Sequence, residues 1–589
     1  REISAAHKIF AAAAARVFAA YLRERSGGAE TPVVIVGMDT RPTGPAIADL
    51  MIRVFLAEGC TVKYAFITAA PEIMAYARNF AVASGRADGR AEGSGPSTGF
   101  VFISASHNPV GHNGLKFGLT DGGVLPAEET AKLIVNLRTL LAESGRIESC
   151  VETVGRAGVE DLGRIYAGVS SIKKDAWAAY LSFTKEVITG SCAELYDSIR
   201  EALEKWPIGI VADLNGSART VSIDREFITG LGAKYRVING EPGEIAHRIV
   251  PEGESLEPCR AFLEEAHRED TAFVLGYVPD CDGDRGNLVI WDEAESNARI
   301  LEAQEVFALA CVSELAHLVW TGELAFDNRG NALRKAAVAV NDPTSMRIDR
   351  IAHAFDASVF RAEVGEANVV ALAQKLRKKG YLVRILGEGS AGGSITYPSA
   401  VRDPVNTLMA LLKLLSIRST PERRGFFELW CDLSDQAEVY RPDFSLSDII
   451  ASLPAFVTTG AYTPEAALRV KTADHGLLKD RYQGIFLREW EARREYLARY
   501  YGIADWEAAA YNGTEEKPGI RQFGEAGRGG LRIVFSNKAG NQTASIWMRG
   551  SGTEPVFRIM ADAEGQDRRL ERDLIEWQRR MVTEADSAG

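Results

Sequence analysis

The feature that most constrains this chain is a recurring triplet: a short apolar β-rich run, a polar glycine-bearing loop, and a helix-forming stretch. It occurs in "VVIVGMDTRP" (33–42), "GFVFISASHNP" (99–109), "IGIVADLNGS" (208–217), "AFVLGYVPDCDGDR" (272–285), "AAVAVNDPTS" (336–345) and "YLVRILGEGSAGG" (381–393). Strands that alternate with helices build βαβ units and mixed or largely parallel sheets. Ligands of such sheets sit beyond the carboxyl ends of the strands, where these loops lie. Loops distant in sequence are therefore expected to converge on one cleft.

At 589 residues the chain is too long for one core, and about three to five domains are expected. A helical stretch "DAWAAYLSFTKEVI" (175–188) closes the first, and further changes fall near 305 and 425. The expected domains are 1–189, 190–305, 306–425 and 426–589. A net charge of −12 leaves no basic excess to neutralise phosphates, which argues against nucleic-acid binding. An acidic protein can still hold a phosphorylated small molecule in a locally basic pocket.

No membrane span is expected, because "LMALLKLLSI" is interrupted by Lys413. The Ala-rich start carries Lys8 and Arg16 inside its apolar part, so it reads as an amphipathic surface helix, not a signal peptide. The sequence starts at Arg1 without methionine, which suggests an upstream segment. Seven scattered cysteines, without a CxxC pair, read as reduced thiols in a cytoplasmic protein. The segment "SGRADGRAEGSGPSTG" (84–99) reads as a flexible surface loop. It lacks GxGxxG spacing and precedes a strand, so it is not taken as a phosphate cradle.

Four loops carry chemistry. In "DCDGDRG", Asp280, Asp282 and Asp284 alternate around Gly283, and carboxylates so close repel one another unless a cation sits among them. An EF-hand is excluded, since Arg285 stands where it needs glycine and Trp291 where it needs glutamate. Three carboxylates suit Mg²⁺, which keeps positions for water or a phosphate oxygen. In "RGSGTEPVFR" (549–558), Arg549, Ser551, Thr553 and Arg558 surround Gly550 and Gly552, whose size lets backbone N–H groups approach an anion. "GEGSAGGS" (387–394) places Glu388 and Ser390 at a glycine-rich strand exit, an acceptor and donor pair suited to sugar hydroxyls.

The fourth loop is "FISASHNPVGHNGLKF" (102–117). Serine is a poor nucleophile without a base or an adjacent cation, and "SASHNPVG" is not the GxSxG elbow of a hydrolase. A phosphoryl carrier answers better. Phosphoserine brings about −1.5 to −2 charges, and a carboxylate-bound Mg²⁺ would offset them.

With those loops in the order serine, metal, sugar, phosphate, the chain resembles the α-D-phosphohexomutase superfamily, which includes phosphoglucomutase and phosphomannomutase. Lesser echoes are "VGMDTRP", "DLNGS", "PEGESLEP", "VNDPTS" and "VGEANVV" (364–370), so the resemblance covers nearly the whole chain. It implies an α/β fold: three mixed α/β domains carrying the serine, metal and sugar loops, plus a smaller α+β C-terminal domain, around one central cleft. It further implies that Ser106 is phosphorylated. Asp280, Asp282 and Asp284 would bind Mg²⁺ with an oxygen of that phosphoserine. Lys116 would act as general base or acid with His107 assisting, and Arg285 would fix the phosphoserine. Glu388 and Ser390 would bind sugar hydroxyls. Arg549, Ser551, Gly552, Thr553 and Arg558 would hold the nonreacting phosphate, with Arg41 also at the cleft.

The implied reaction interconverts hexose 1-phosphate and hexose 6-phosphate through a bound hexose 1,6-bisphosphate, with glucose first, mannose second, and pentose or glucosamine behind. A Mg²⁺-dependent sugar phosphatase or kinase and a noncatalytic phosphosugar-binding relative are the rivals. Three departures stand out. The family's "GT-S-G-R"-like loop before the first helix is not seen. Gly392 stands where many bacterial members carry a histidine. Residues 426–589 are long for the family's last domain, and "RQFGEAGRGGLRIVFSNKAGNQTASIW" suggests an enlarged hairpin. Oligomeric state is not readable from the sequence.

Overall fold

The computed structural model describes every residue except 1, 28–30, 84–96, 391, 552–555 and 589. The surface loop expected at 84–99 thus lies outside the described residues up to 96. The chain forms two compact units, Arg1–Ile300 with Ile395–Met409, and Leu301–Ser394 with Ala410–Gly589.

The first unit contains two sheets on one plan. Strands β1 (Val33–Met38), β2 (Thr61–Ile67), β3 (Thr98–Ile103) and β4 (Leu115–Leu119) lie in the order β2-β1-β3-β4. β1 pairs in parallel with β2 and β3, and β4 returns antiparallel to β3. β5 (Gly209–Asp213), β6 (Lys234–Ile238), β7 (Phe273–Pro279), β8 (Gly286–Asp292) and β9 (Asn297–Ile300) repeat it in the order β6-β5-β7-β8-β9.

The continuous apolar runs of β1 and β3 arise because both faces are covered. Val34, Val36, Met38, Val101 and Ile103 enter one core with the helices Ala5–Arg25 and Gly44–Ala57. Their alternating neighbours Ile35, Phe100 and Phe102 enter another with the helices Ala70–Ala83 and Val169–Thr189.

The Ala-rich start corrects one expectation. It is a helix, Ala5–Arg25, but Ala11 through Ala15, Val17, Phe18, Ala19 and Leu22 are buried, so it is a core element and not a surface helix. Small side chains let it lie close to β3: a Cβ on Gly99 would stand 2.8 Å from Phe18 Cζ and 2.9 Å from Leu22 Cδ2.

The second unit holds the strands β10 (Ala336–Asn341), β11 (Ala357–Ala362) and β12 (Ile385–Gly387), paired in parallel about β10. Lys413, which interrupts the apolar run 408–417, is buried against Glu314 at 2.5 Å, and Glu314 also takes Arg384 at 2.7 Å. Among the described residues the C-terminal sheet is antiparallel with seven strands, more than any of the other three. The expected hairpin forms from Gly530–Asn537 and Gln542–Gly550, whereas its "FGEA" part is a 3₁₀ turn, Phe523–Ala526. The helices His475–Tyr501 and Arg568–Ser587 cover its core through Phe486 and Trp577.

All seven cysteines are thiols, and six are buried. No helix among the described residues is long and apolar enough to cross a membrane.

Phe18→Ala would open a cavity between the first helix and β3, at a cost of about 3–5 kcal/mol. Urea unfolding followed by circular dichroism should show a transition moved to lower urea; an unmoved midpoint would contradict this packing.

Candidate functional site

In the first unit β3 ends at Ile103 and the chain turns through a loop closed by Ser104 N–H donating to the Gly114 carbonyl at 3.1 Å. Ser106 stands at the tip with φ +48°, a conformation unfavourable for a residue with a Cβ. Three bonds hold it there. Its N–H donates to Ser104 Oγ at 2.8 Å, its carbonyl accepts from Arg41 at 2.5 Å, and its hydroxyl donates to Asp282 Oδ2 at 2.9 Å.

Arg41, expected to meet substrate, is placed beneath this loop. Its guanidinium donates to the carbonyls of Ser106, Asn108, Pro109 and His112 and to Asp39 Oδ2, which engages all five donors, and the residue is 2% exposed. In this geometry it shapes the serine loop and has no donor left for a ligand.

The metal loop follows β7. Asp280 Oδ1 accepts from the backbone N–H groups of Gly283 at 3.1 Å and Arg285 at 3.2 Å. Gly283 has φ +70°, and a Cβ there would stand 2.4 Å from Arg219 Cδ, so only glycine fits. Arg219 is itself buried and tied to Asp224 at 2.9 Å and to the Tyr180 hydroxyl at 2.8 Å. The Asp282 carbonyl accepts from Ala70 N–H at 2.8 Å, which ties the loop to the first sheet's layer.

The two loops meet on Asp282. Its Oδ2 accepts from Ser106 Oγ, from Lys116 Nζ at 2.6 Å and from Ser104 Oγ at 3.1 Å. Lys116, on β4 opposite Phe102, also reaches Asp284 Oδ2 at 3.1 Å, and Arg402 reaches the same oxygen at 3.2 Å.

A ligand atom from each aspartate lies within 4.8 Å of the others, and all three residues are buried. One oxygen of each, Asp280 Oδ2, Asp282 Oδ1 and Asp284 Oδ1, is buried with no hydrogen-bond partner. Buried acceptors left this way are costly. Three such carboxylate oxygens form the donor set a hard dication such as Mg²⁺ takes, so the residues fit that ion.

Burial and the charges of Asp282 and Asp284 push the Asp280 carboxyl well above the usual range. Burial acts upward on Asp284 too, but Arg402, Lys116 and Arg285 outweigh it and hold that carboxyl low. Burial, with Arg285 and Arg402 nearby, pushes His107 down to about 3, so its imidazole is neutral. Arg285 thus acts on both Asp280 and His107.

The second unit carries the two loops expected from the sequence to bind sugar and phosphate. Glu388 Oε1 accepts from Gly365 N–H at 2.9 Å, and Ser390 Oγ from Asn341 Nδ2 at 2.9 Å; both residues are buried. Gly392 has φ +63°, a conformation that glycine adopts without a Cβ penalty.

Arg549 and Arg558 face each other across adjacent strands. Like charges directly opposite destabilise a sheet unless something neutralises them. Glu363 takes Arg549 at 2.8 Å, while Arg558 donates to the Ala461 carbonyl and lies over the Tyr462 ring. Ser551 N–H donates to the Val556 carbonyl at 2.8 Å and closes the loop's neck. Gly552 and Thr553 lie outside the described residues.

Sequence reasoning missed Asp39, Ser104, Arg219, Arg402 and Glu363. The pairing Asp39–Arg41 was visible as "DTR", and Glu363 directly precedes "VGEANVV"; Arg402 carried no local signal at all.

Residues 2–141 match the family description "Phosphoglucomutase/phosphomannomutase, alpha/beta/alpha domain I", and residues 319–428 match domain III of the same family. A protein of Thermococcus kodakarensis named phosphoglucomutase/phosphomannomutase is 22% identical over 95% of this chain and 91% of its own. A phosphoglucosamine mutase of Ruminiclostridium cellulolyticum is 24% identical over 68% of this chain and 73% of its own. Among solved structures, a phosphoglucomutase/phosphomannomutase family protein from Burkholderia thailandensis aligns with a TM-score of 0.56 and 17% identity, covering 98% of this chain and 93% of that one. The open form of parafusin, a phosphoglucomutase from Paramecium, aligns with a TM-score of 0.60 and 13% identity, covering 98% and 92%. These structures share the fold.

The three-carboxylate site makes a direct prediction. Calorimetry should show Mg²⁺ binding to the whole chain, weakened at least about tenfold in Asp280→Asn, which removes one anionic ligand. Equal affinity in the variant would remove Asp280 from the site.

Proposed function

The chain belongs to the α-D-phosphohexomutase superfamily, and we propose that it interconverts hexose 1-phosphate and hexose 6-phosphate, glucose foremost, through a phosphoserine at Ser106 and a bound hexose 1,6-bisphosphate. The observation that carries this reading is the shared oxygen: Ser106 Oγ and Lys116 Nζ both donate to Asp282 Oδ2, inside a loop with three orphaned carboxylate oxygens. A serine destined to carry phosphate needs a cation site and a proton-transfer group beside it, and the three open carboxylate oxygens and Lys116 support assigning them here.

Asp280, Asp282 and Asp284, with a phosphoserine oxygen of Ser106, would hold Mg²⁺, which when bound neutralises charge on the transferring phosphoryl group. The rest is done by side chains. The bond from phosphorus to Ser106 Oγ breaks as a bond from phosphorus to a sugar hydroxyl forms, and the hydroxyl proton passes to a protein group. We assign that proton to Lys116, which takes it as general base and gives it back as general acid when the second phosphate returns, with the neutral His107 assisting. Arg41 fixes the loop's shape from behind, and Arg285 adds positive charge at the serine. Glu388 and Ser390 are assigned to sugar hydroxyls. Arg549, Ser551, Gly552, Thr553 and Arg558 are assigned to the nonreacting phosphate. Because that grip and the reacting site use different residues, a bisphosphate can bind either way round, which the return of its second phosphate to Ser106 requires.

The relatives' names divide among glucose, mannose and glucosamine, so substrate choice is best tested side by side. Cysteine thiols without disulfides fit a reducing compartment, and we assign the protein to the cytoplasm.

Phosphorus NMR with Mg²⁺, a trace of glucose 1,6-bisphosphate and glucose, mannose or glucosamine 1-phosphate in separate tubes should show a 6-phosphate forming, fastest for glucose. Ser106→Ala should abolish it. Arg549→Ala should chiefly raise KM, by about ten- to a hundredfold, as expected for one charge-assisted contact. Release of inorganic phosphate instead, or unimpaired Ser106→Ala, would overturn the proposal.

A further inference from the structure

The metal loop of the first unit is braced by a buried polar cluster that the proposed mechanism does not use. Arg219 sits in a 3₁₀ turn, Ala218–Val221, whose Ala218 N–H donates to the Cys281 carbonyl of the loop at 2.9 Å. The aliphatic stem of Arg219 lies against Gly283, where a Cβ would meet Cγ at 2.7 Å and Cδ at 2.4 Å. Its guanidinium is fixed at three points. Nε donates to Asp224 Oδ1 at 3.0 Å, Nη2 pairs with Asp224 Oδ2 at 2.9 Å, and Nη1 donates to the Tyr180 hydroxyl at 2.8 Å. The Tyr277 hydroxyl, on β7 ahead of the loop, donates to the same Asp224 Oδ1 at 2.6 Å.

Tyr180 comes from the helix Val169–Thr189, far from either loop in sequence. Its hydroxyl accepts from Arg219 and donates to Asp403 Oδ2 at 2.6 Å. Asp403 Oδ1 accepts from Val405 N–H at 2.9 Å, which fixes the carboxylate's other end. The residue before it, Arg402, is the one that donates to Asp284 Oδ2. A chain of contacts thus leaves the metal loop at Gly283 and returns to it at Asp284, and the Tyr180 hydroxyl joins its two halves. Tyr180, Arg219, Asp224 and Asp403 are each at most 2% exposed, so a partner lost here leaves a polar atom buried without a bond. Arg219 Nη1 stands 3.6 Å from Asp403 Oδ1, beyond hydrogen-bond distance, so the hydroxyl is what satisfies both.

We propose that Tyr180 is a positioning residue for the metal loop: its hydroxyl keeps Arg219 seated under Gly283 and holds Asp403 where it sets Arg402 on Asp284. Without the hydroxyl, Asp403 Oδ2 loses its donor and Arg219 Nη1 its acceptor, and opposite charges draw the two side chains together. That movement takes the Arg219 stem from beneath Gly283 and shifts the backbone that presents Arg402. Both supports of the turn carrying Asp282 and Asp284 then give way at once. A loop fixed in shape beforehand loses little freedom when an ion binds, whereas a loosened one must be ordered at the expense of affinity. Residues that support metal ligands in this way alter metal affinity by about ten- to a hundredfold. The inference rests on reading Asp280, Asp282 and Asp284 as a Mg²⁺ site but not on turnover.

The test is calorimetry of Mg²⁺ binding to the whole protein, comparing wild type with Tyr180→Phe, which removes the hydroxyl and keeps the ring. Circular dichroism checks that the variant is folded; should it fold poorly, Asp403→Asn breaks the same link from the other side. The expected result is Mg²⁺ binding weakened at least about tenfold by either substitution. Because both act through one link, the double variant should bind within about twofold of the weaker single variant, whereas independent effects would multiply. Multiplied effects would overturn the route through Asp403. A residue that only stabilised the fold would lower the urea midpoint and leave Mg²⁺ affinity as it was, and that result would overturn the inference alone. No Mg²⁺ binding by wild type would overturn the metal reading itself, and the inference with it.

Discussion

The first unit depends on the electrostatics of Asp280, Asp282 and Asp284. Carboxylates within 4.8 Å of one another in a buried turn repel by about 3 kcal/mol per pair even at an effective dielectric near 20. The fold answers with cations drawn from distant parts of the chain: Lys116 on Asp282 and Asp284, Arg402 on Asp284, and Arg285 within the loop. These partners leave one oxygen of each aspartate unsatisfied. The loop's hydrogen-bonding capacity is therefore met only in part, and the three open oxygens form a donor set that suits a hard cation. The topology serves this arrangement, since the segment Ile395–Met409 belongs to the first unit and delivers Arg402 there.

The serine loop obeys the same logic at one remove. Ser106 adopts a positive φ because its backbone and hydroxyl are fixed by Arg41, Ser104 and Asp282 together. The buried Arg41–Asp39 pair is an element of local geometry, consistent with the rule that such pairs specify arrangement more than they stabilise. In the second unit the arginines Arg549 and Arg558 stand opposed across the sheet, an arrangement that an anion relieves.

Much of this was legible in the sequence. Each of the six signatures corresponds to a strand ending at a polar loop, but after β3, β7 and β12 the next element is a strand (Leu115–Leu119, Gly286–Asp292 and Ser394–Thr396) and not the helix expected. The expected βαβ units correspond to the parallel pairing of β1 with β2 and β3. The aspartate spacing and the EF-hand exclusion were local and therefore readable. What failed depended on neighbours. The Ala-rich helix looked like a surface element because Lys8 and Arg16 masked its buried face. Arg41 looked like a ligand-binding arginine because sequence does not show that four carbonyls would converge on it. Arg402 lies far along the chain from the loop it touches, and only the fold brings it there. The last domain's size was legible, but the seven-stranded sheet behind it was not.

The proposed function turns on a phosphoryl group carried by Ser106. Peptide mass spectrometry of the whole protein after incubation with Mg²⁺ and glucose 1,6-bisphosphate tests it directly. One added phosphoryl group is expected on the peptide containing Ser106, absent when Mg²⁺ is chelated and lost again when a hexose monophosphate is added. A phosphoryl group on Ser104 or elsewhere, or none on a protein that still interconverts hexose phosphates, would contradict it.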